Sequence, residues 1–163
     1  MDRDTFWNII DEARSTVGDA YEVAPAVVGK LAQLEPADIV AFKQHQYDLE
    51  AESYRWDLWA VAYIVNGGCS DDGFDYFRAW LLANGRKRFE DAIANPTSIG
   101  DWAEDEGDYE DMLYVAVEAY KKKTGNEFPY ESVTSKRPPD PVGSDWDEDD
   151  LETMYPDLWA KFS

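Results

Sequence analysis

Trp56-Asp57-Leu58-Trp59-Ala60-Val61-Ala62-Tyr63-Ile64-Val65, closed by Asn66-Gly67-Gly68, sets the kind of fold this chain can build. It is apolar on nearly every side except at Asp57, which marks a buried central element, and it is long for a strand, whose usual length is about five or six residues. The amphipathic run before it flows into it, so a helix is predicted, with the glycines as its stop. In that preceding run Pro36, placed at a first helical position, leads Ile39, Val40, Phe42, Lys43, Tyr47, Leu49 and Tyr54, with Asp48, Glu50 and Glu52 read as the outer face.

The same helical spacing recurs outward in both directions. Phe6, Ile9, Ile10, Ala13 and Val17 follow Asp4 as N-cap, and Ala24, Val27, Val28, Leu31 and Leu34 follow a helix start near Pro25. Downstream, one helix is predicted from Ser70-Asp71-Asp72 to Asn84-Gly85, a short one from Arg86 to Ala94, and one carrying Met112, Leu113, Val115, Ala116, Ala119 and Tyr120. Lys121-Lys122-Lys123 suits the negative end of the last helix dipole. The fold class is therefore mainly α: a single compact domain of about six or seven helices over residues 1–125. Residues 126–163 form a Pro- and acid-rich C-terminal arm. That arm ends in Leu151, Met154, Tyr155, Leu158, Trp159 and Phe162, too apolar for a free linker, so it is expected to dock on the body with a short helix from Pro156.

Among 163 residues, 35 acids face 15 bases, a formal charge of −20. Such a field repels phosphate backbones and anionic headgroups, so neither direct nucleic-acid binding nor membrane binding is expected. The charge is uneven: residues 1–100 carry 9 bases and 17 acids, residues 101–163 carry 6 and 18. One cysteine, Cys69, cannot form an internal disulfide, and Met1 to Trp7 lacks the basic and long apolar stretches of a secretion signal. A cytoplasmic location is expected.

Tyr54-Arg55-Trp56-Asp57-Leu58-Trp59 and then Asn66-Gly67-Gly68-Cys69-Ser70-Asp71-Asp72-Gly73-Phe74-Asp75-Tyr76-Phe77-Arg78-Ala79-Trp80-Leu81 resemble the bacterial family called domain of unknown function 4240 (DUF4240). The resemblance covers roughly residues 1–130, including the Phe6-Trp7 helix and the Tyr130-Glu131 region. It implies a bacterial, mainly helical cytoplasmic domain and no assigned activity.

Chemistry, if present, is expected at a polar cluster of Asp57, Asn66, Ser70, Asp71, Asp72, Asp75 and Arg78. On a helix starting near Ser70, Asp71, Asp75 and Arg78 share one face, where paired acids could bind a cation or shift one another's protonation while Arg78 holds an anion. The plainer alternative is a helix N-terminus rich in capping acids, with Asp75 and Arg78 as an intrahelical ion pair. Asp57, in so apolar a run, needs a partner; Arg78 or an amide of the Gly67-Gly68 turn is favoured over Arg55, which is too close in sequence to face it on a helix. Cys69 with His45 as base reads as a core thiol rather than a nucleophile. The acids after Cys69 would raise its pKa, and neither a zinc set nor a phosphate loop is present.

No cofactor and no metal is therefore called for, and no reaction is assigned. The leading expectation is a non-enzymatic acidic binding protein, immunity-like or regulatory, that docks a basic protein partner and is itself a monomer or weak dimer. Its surface candidates are Glu104, Asp105, Glu106 and Asp108, in a run read as a solvated loop, and Asp147, Glu148, Asp149 and Asp150. An enzyme or small-ligand sensor using Asp57, Asp71, Asp75 and Arg78 is the rival, and a nucleic-acid mimic is a weaker one.

Overall fold

The structure, a computed structural model, describes residues 1–163. It is built of α-helices and short 3-10 segments and has no strand. Seven helices form the body: α1 (Arg3–Ser15), α2 (Val23–Leu31), α3 (Pro36–Glu52), α4 (Trp56–Asn66), α5 (Asp71–Ala83), α6 (Arg86–Ala94) and α7 (Val115–Thr124). Two short helices, α8 (Leu151–Met154) and α9 (Pro156–Phe162), belong to the arm. Of 40 buried apolar residues, all but Ala20 form one connected cluster of 39 that includes Leu151 and Leu158, so arm and body share a single core.

Most helix boundaries follow the residues that signal them. Ser70 caps α5 by accepting from the Gly73 amide at 3.1 Å, and Gly67 and Gly125 end α4 and α7 in the left-handed conformation that glycine adopts without cost. Pro36 occupies the first position of α3. At the start of α1 the cap is Asp2, which accepts from the Thr5 amide at 2.8 Å, and Asp4 instead lies in the first turn.

Three features depart from the sequence reading. Helices α3 and α4 are not continuous: Ser53 to Arg55 break them, and the arm fills the gap. The Val142 amide donates to the Tyr54 carbonyl, and the Trp56 amide, an orphan donor at the start of α4, donates to the Val142 carbonyl, each at 2.9 Å. The approach to α7 is a 3-10 segment, Glu110–Tyr114, so helix begins only at Val115. The acidic run 101–108 has exposed acids but a fixed backbone, because Ala103, Gly107 and Tyr109 are buried beneath it.

Trp56 stacks on Trp59 and Trp59 on Phe74, with ring centroids 5.3 and 4.9 Å apart, and the edge of Trp146 from the arm meets Trp56 at 6.1 Å. This aromatic row joins arm, α4 and α5, and it leads to the polar residues beside Tyr54.

Candidate functional site

Lys43, Gln46 and Glu50 lie three and four residues apart, so α3 presents them on one side. That side faces inward. Lys43 is buried and its Nζ donates to the Leu113 carbonyl at 2.7 Å, while Gln46 Nε2 donates to the Met112 carbonyl at 3.2 Å. Both carbonyls belong to the 3-10 segment before α7, where an α-helical ladder does not consume them. Burial lowers the Lys43 pKa, opposed in part by Glu50. Glu50, placed on the outer face by periodicity alone, instead has Oε1 sealed from solvent and without a hydrogen-bond partner. Desolvation raises its pKa, with Lys43 and Arg78 pulling the other way.

Across from Glu50, α5 supplies Arg78, whose side chain is only 3% exposed. Its Nη2 donates to Asp75 Oδ1 at 2.6 Å, one helical turn back. The guanidinium lies over the Phe74 ring at 4.4 Å and over the Tyr54 ring at 5.2 Å, yet Nε and Nη1 have no partner. The arm closes the site from above. Arg137 donates from Nη1 to the same Asp75 oxygen and from Nη2 to the Tyr54 hydroxyl, each at 3.3 Å, and its guanidinium stacks 4.1 Å from the Tyr54 ring. Glu50, Asp75, Arg78, Leu113, Ser135 and Arg137 line a cavity of about 130 Å³ between these elements.

The other sequence candidates lie elsewhere. Asp57 pairs with Arg55 at 3.1 Å and accepts from the Leu58 amide at 2.8 Å. Arg55 reaches it because its backbone is extended rather than helical, which removes the objection from sequence proximity. Asp71 and Asp72 are exposed in the first turn of α5, where the helix dipole favours acids, and Ser70 is committed to its cap. No group of three or more His, Cys, Asp or Glu side chains is placed to hold a metal ion. Burial pushes the Cys69 thiol up to about 12, and His45 Nε2 is engaged with the Met1 carbonyl at 2.8 Å.

Asn66 has a different task. Its side-chain amide donates to the Gly107 carbonyl and accepts from the Gly107 amide, both at 2.9 Å. Tyr21 adds a second clamp, donating to the Glu106 carbonyl at 3.0 Å and accepting from the Asp108 amide at 3.1 Å. Glu104, Asp105, Glu106 and Asp108 thus project from a pinned backbone, and only Glu104 meets a base, Lys161, at 3.6 Å. Tyr63 of α4 donates to Glu148 of the arm, where Asp147 caps the Asp149 amide at 2.9 Å and Asp149 and Asp150 are exposed.

Sequence reasoning missed Glu50, Lys43, Gln46 and Arg137 as parts of one site. A signal existed for three of them: polar residues at 43, 46 and 50 share the spacing of Ile39, Phe42 and Leu49, so they fall on or beside the core-facing side. Nothing local marks Arg137, which comes from the arm.

No curated protein matches the chain, and no solved structure matches it. A family described as "Protein of unknown function (DUF4240)" matches residues 1–122, which hold the floor of the cavity and α1 through most of α7, while Ser135 and Arg137 of its roof lie beyond the match. With three quarters of its length matched, the chain belongs to the DUF4240 family.

Proposed function

We propose that the protein is a non-enzymatic binding module of the bacterial cytoplasm, immunity-like or regulatory, whose acid-rich face docks a basic protein partner. One observation carries this reading. The two acidic runs, distant in sequence, are tied to a single helix, α4, one turn apart: Asn66 holds the 104–108 run by Gly107, and Tyr63 holds the arm's run by Glu148. Apart from Glu104, which meets Lys161, and Glu148, which accepts from Tyr63, their carboxylates are left in solvent on a backbone that needs no ordering when a partner arrives, which lowers the entropic cost of association. A preorganised field of one sign mainly raises the association rate and disfavours wrong partners.

The enzyme or sensor reading, in the form that joins Asp57, Asp71, Asp75 and Arg78, lacks a shared cavity, because Asp57 is paired with Arg55 and Asp71 is exposed. The docking reading is tested by reversing Glu104, Asp105, Glu106 and Asp108 to lysine and following association with the partner recovered by co-purification. Association is expected to slow severalfold with dissociation little changed, and added salt should erase the difference. Equal rates at low salt would leave these acids a role in solubility alone, and a DNA-binding protein as the recovered partner would favour the mimic reading.

A further inference from the structure

We propose that the cavity between α3, α5 and the arm is a receptor for a small monoanionic carboxylate, held between the guanidinium groups of Arg78 and Arg137. The inference is independent of the acid face. Its first support is the unused donors: Arg78 is buried, lines the space and spends Nη2 on Asp75, while Nε and Nη1 have no partner and are sealed from solvent, so an acceptor meets them only when the roof shifts. A buried donor on a charged group is costly to leave unmade, so the site is built for an acceptor that the chain itself does not supply. Asp75 does not fill that role, since its Oδ1 is already shared by both arginines.

Size and charge narrow the ligand. A cavity of about 130 Å³ is a little smaller than one of about 150 Å³ that admits benzene, which suits a molecule of about four to six non-hydrogen atoms, such as acetate. Two guanidinium groups against one shared carboxylate leave a single positive charge, and the burial that raises the Glu50 pKa opposes a second negative charge beside them. Glu50 is faced by Lys43 and Gln46 on its own helix, by Asp75 and Arg78 on α5, and by Arg137 and Ser135 from the arm. An anion arriving among them favours its protonated form further, so binding takes up a proton as pH rises past the Glu50 pKa.

The roof is held as a removable piece. Gln44 accepts from the Thr134 amide and donates to the Thr134 carbonyl, both at 2.9 Å, and Lys136 lies 3.5 Å from Asp48. These exposed ties straddle Ser135 and stop just short of Arg137, so ligand entry requires movement only of a short surface segment.

The test is a titration of the ¹⁵N-labelled full chain with sodium acetate, at ionic strength held constant with sodium chloride, reading the Nε–H resonances of the arginines. Saturable shifts at Arg78 and Arg137 are expected, with none from the neutral isostere acetamide. R137Q removes a half-exposed rim group without disturbing the core and should weaken acetate by about tenfold or more. In the wild type affinity should rise as pH falls, by up to about tenfold per pH unit, and E50Q should bind acetate without that dependence. Shifts that stay linear with acetate, or that acetamide or chloride reproduce, would overturn the proposal, leaving a water-filled ion-pair pocket. Tighter saturation by sodium phosphate would overturn the carboxylate assignment.

Discussion

Two arginine–aspartate pairs in this chain have similar geometry and opposite consequences. Arg55 and Asp57 are 33% and 39% exposed, so water screens the pair, and D57A should cost below about 1 kcal/mol in urea unfolding. Arg78 is buried, and R78A breaks its 2.6 Å pair with Asp75 and empties the space its guanidinium fills over the Phe74 and Tyr54 rings; a loss of about 3 kcal/mol or more is expected in the same measurement. Equal losses for the two variants would show that burial does not separate them. Glu50 itself gives a pH signature. Burial holds its pKa above the ordinary value of 4.5, so the folded chain keeps a proton that the unfolded chain releases. Its contribution is fully present below that ordinary value and is lost as pH rises through the folded value. The stability difference between wild type and E50Q should therefore drift against the wild type over that window, and a difference that stays constant with pH would contradict it. At this scale the sequence was only half legible. The run Ser70 to Arg78 announces its cap and its ion pair, because those depend on neighbours within one turn. Glu50 and Arg137 do not announce theirs, because their surroundings come from three separate elements.

Among the elements, α9 is the one whose docking most needs a test. Leu158 is nearly buried, and its Cδ2 occupies the space where a side chain at Gly100 would begin: a Cβ there would lie 2.5 Å away. L158A should cost about 2 kcal/mol or more. G100A should lower the melting temperature by a separate route, forcing α9 outward. Thermal melts of both variants matching the wild type would mean that the arm does not rest on the body as described. Gly107 offers the same argument for the acidic loop, since a Cβ there would collide with the Trp80 ring; G107A should cost about 1–3 kcal/mol of unfolding free energy. The helices were legible wherever their signals are local: Pro36, Ser70, Gly67, Asn84 and Gly125 stand where the periodic apolar runs start and stop. The break at Ser53 to Arg55 was not, because it is stabilised by Val142, a residue far along the chain that pairs through its backbone and carries no side-chain signal.

For the whole molecule, a formal charge of −20 sets the terms of every encounter. Self-association would bring like fields together within a Debye length of about 8 Å at physiological salt, so light scattering should report a monomer or weak dimer whose association strengthens as salt is added; a tight dimer indifferent to salt would refute this. Two side-chain amides, Asn66 on Gly107 and Gln44 on Thr134, each hold one residue of a connecting segment by both its amide and its carbonyl. A grip of this kind reads backbone and ignores the residues on either side. The neighbours of the gripped residue, Asp105 and Glu106 before one and Ser135 after the other, can therefore be exchanged without unseating the segment that carries them. The body behaves as a chassis with two sockets, one presenting a replaceable acidic surface and the other a replaceable pocket roof. A library varying Asp105, Glu106 and Ser135 together should retain wild-type melting behaviour across most of its members, whatever it does to binding.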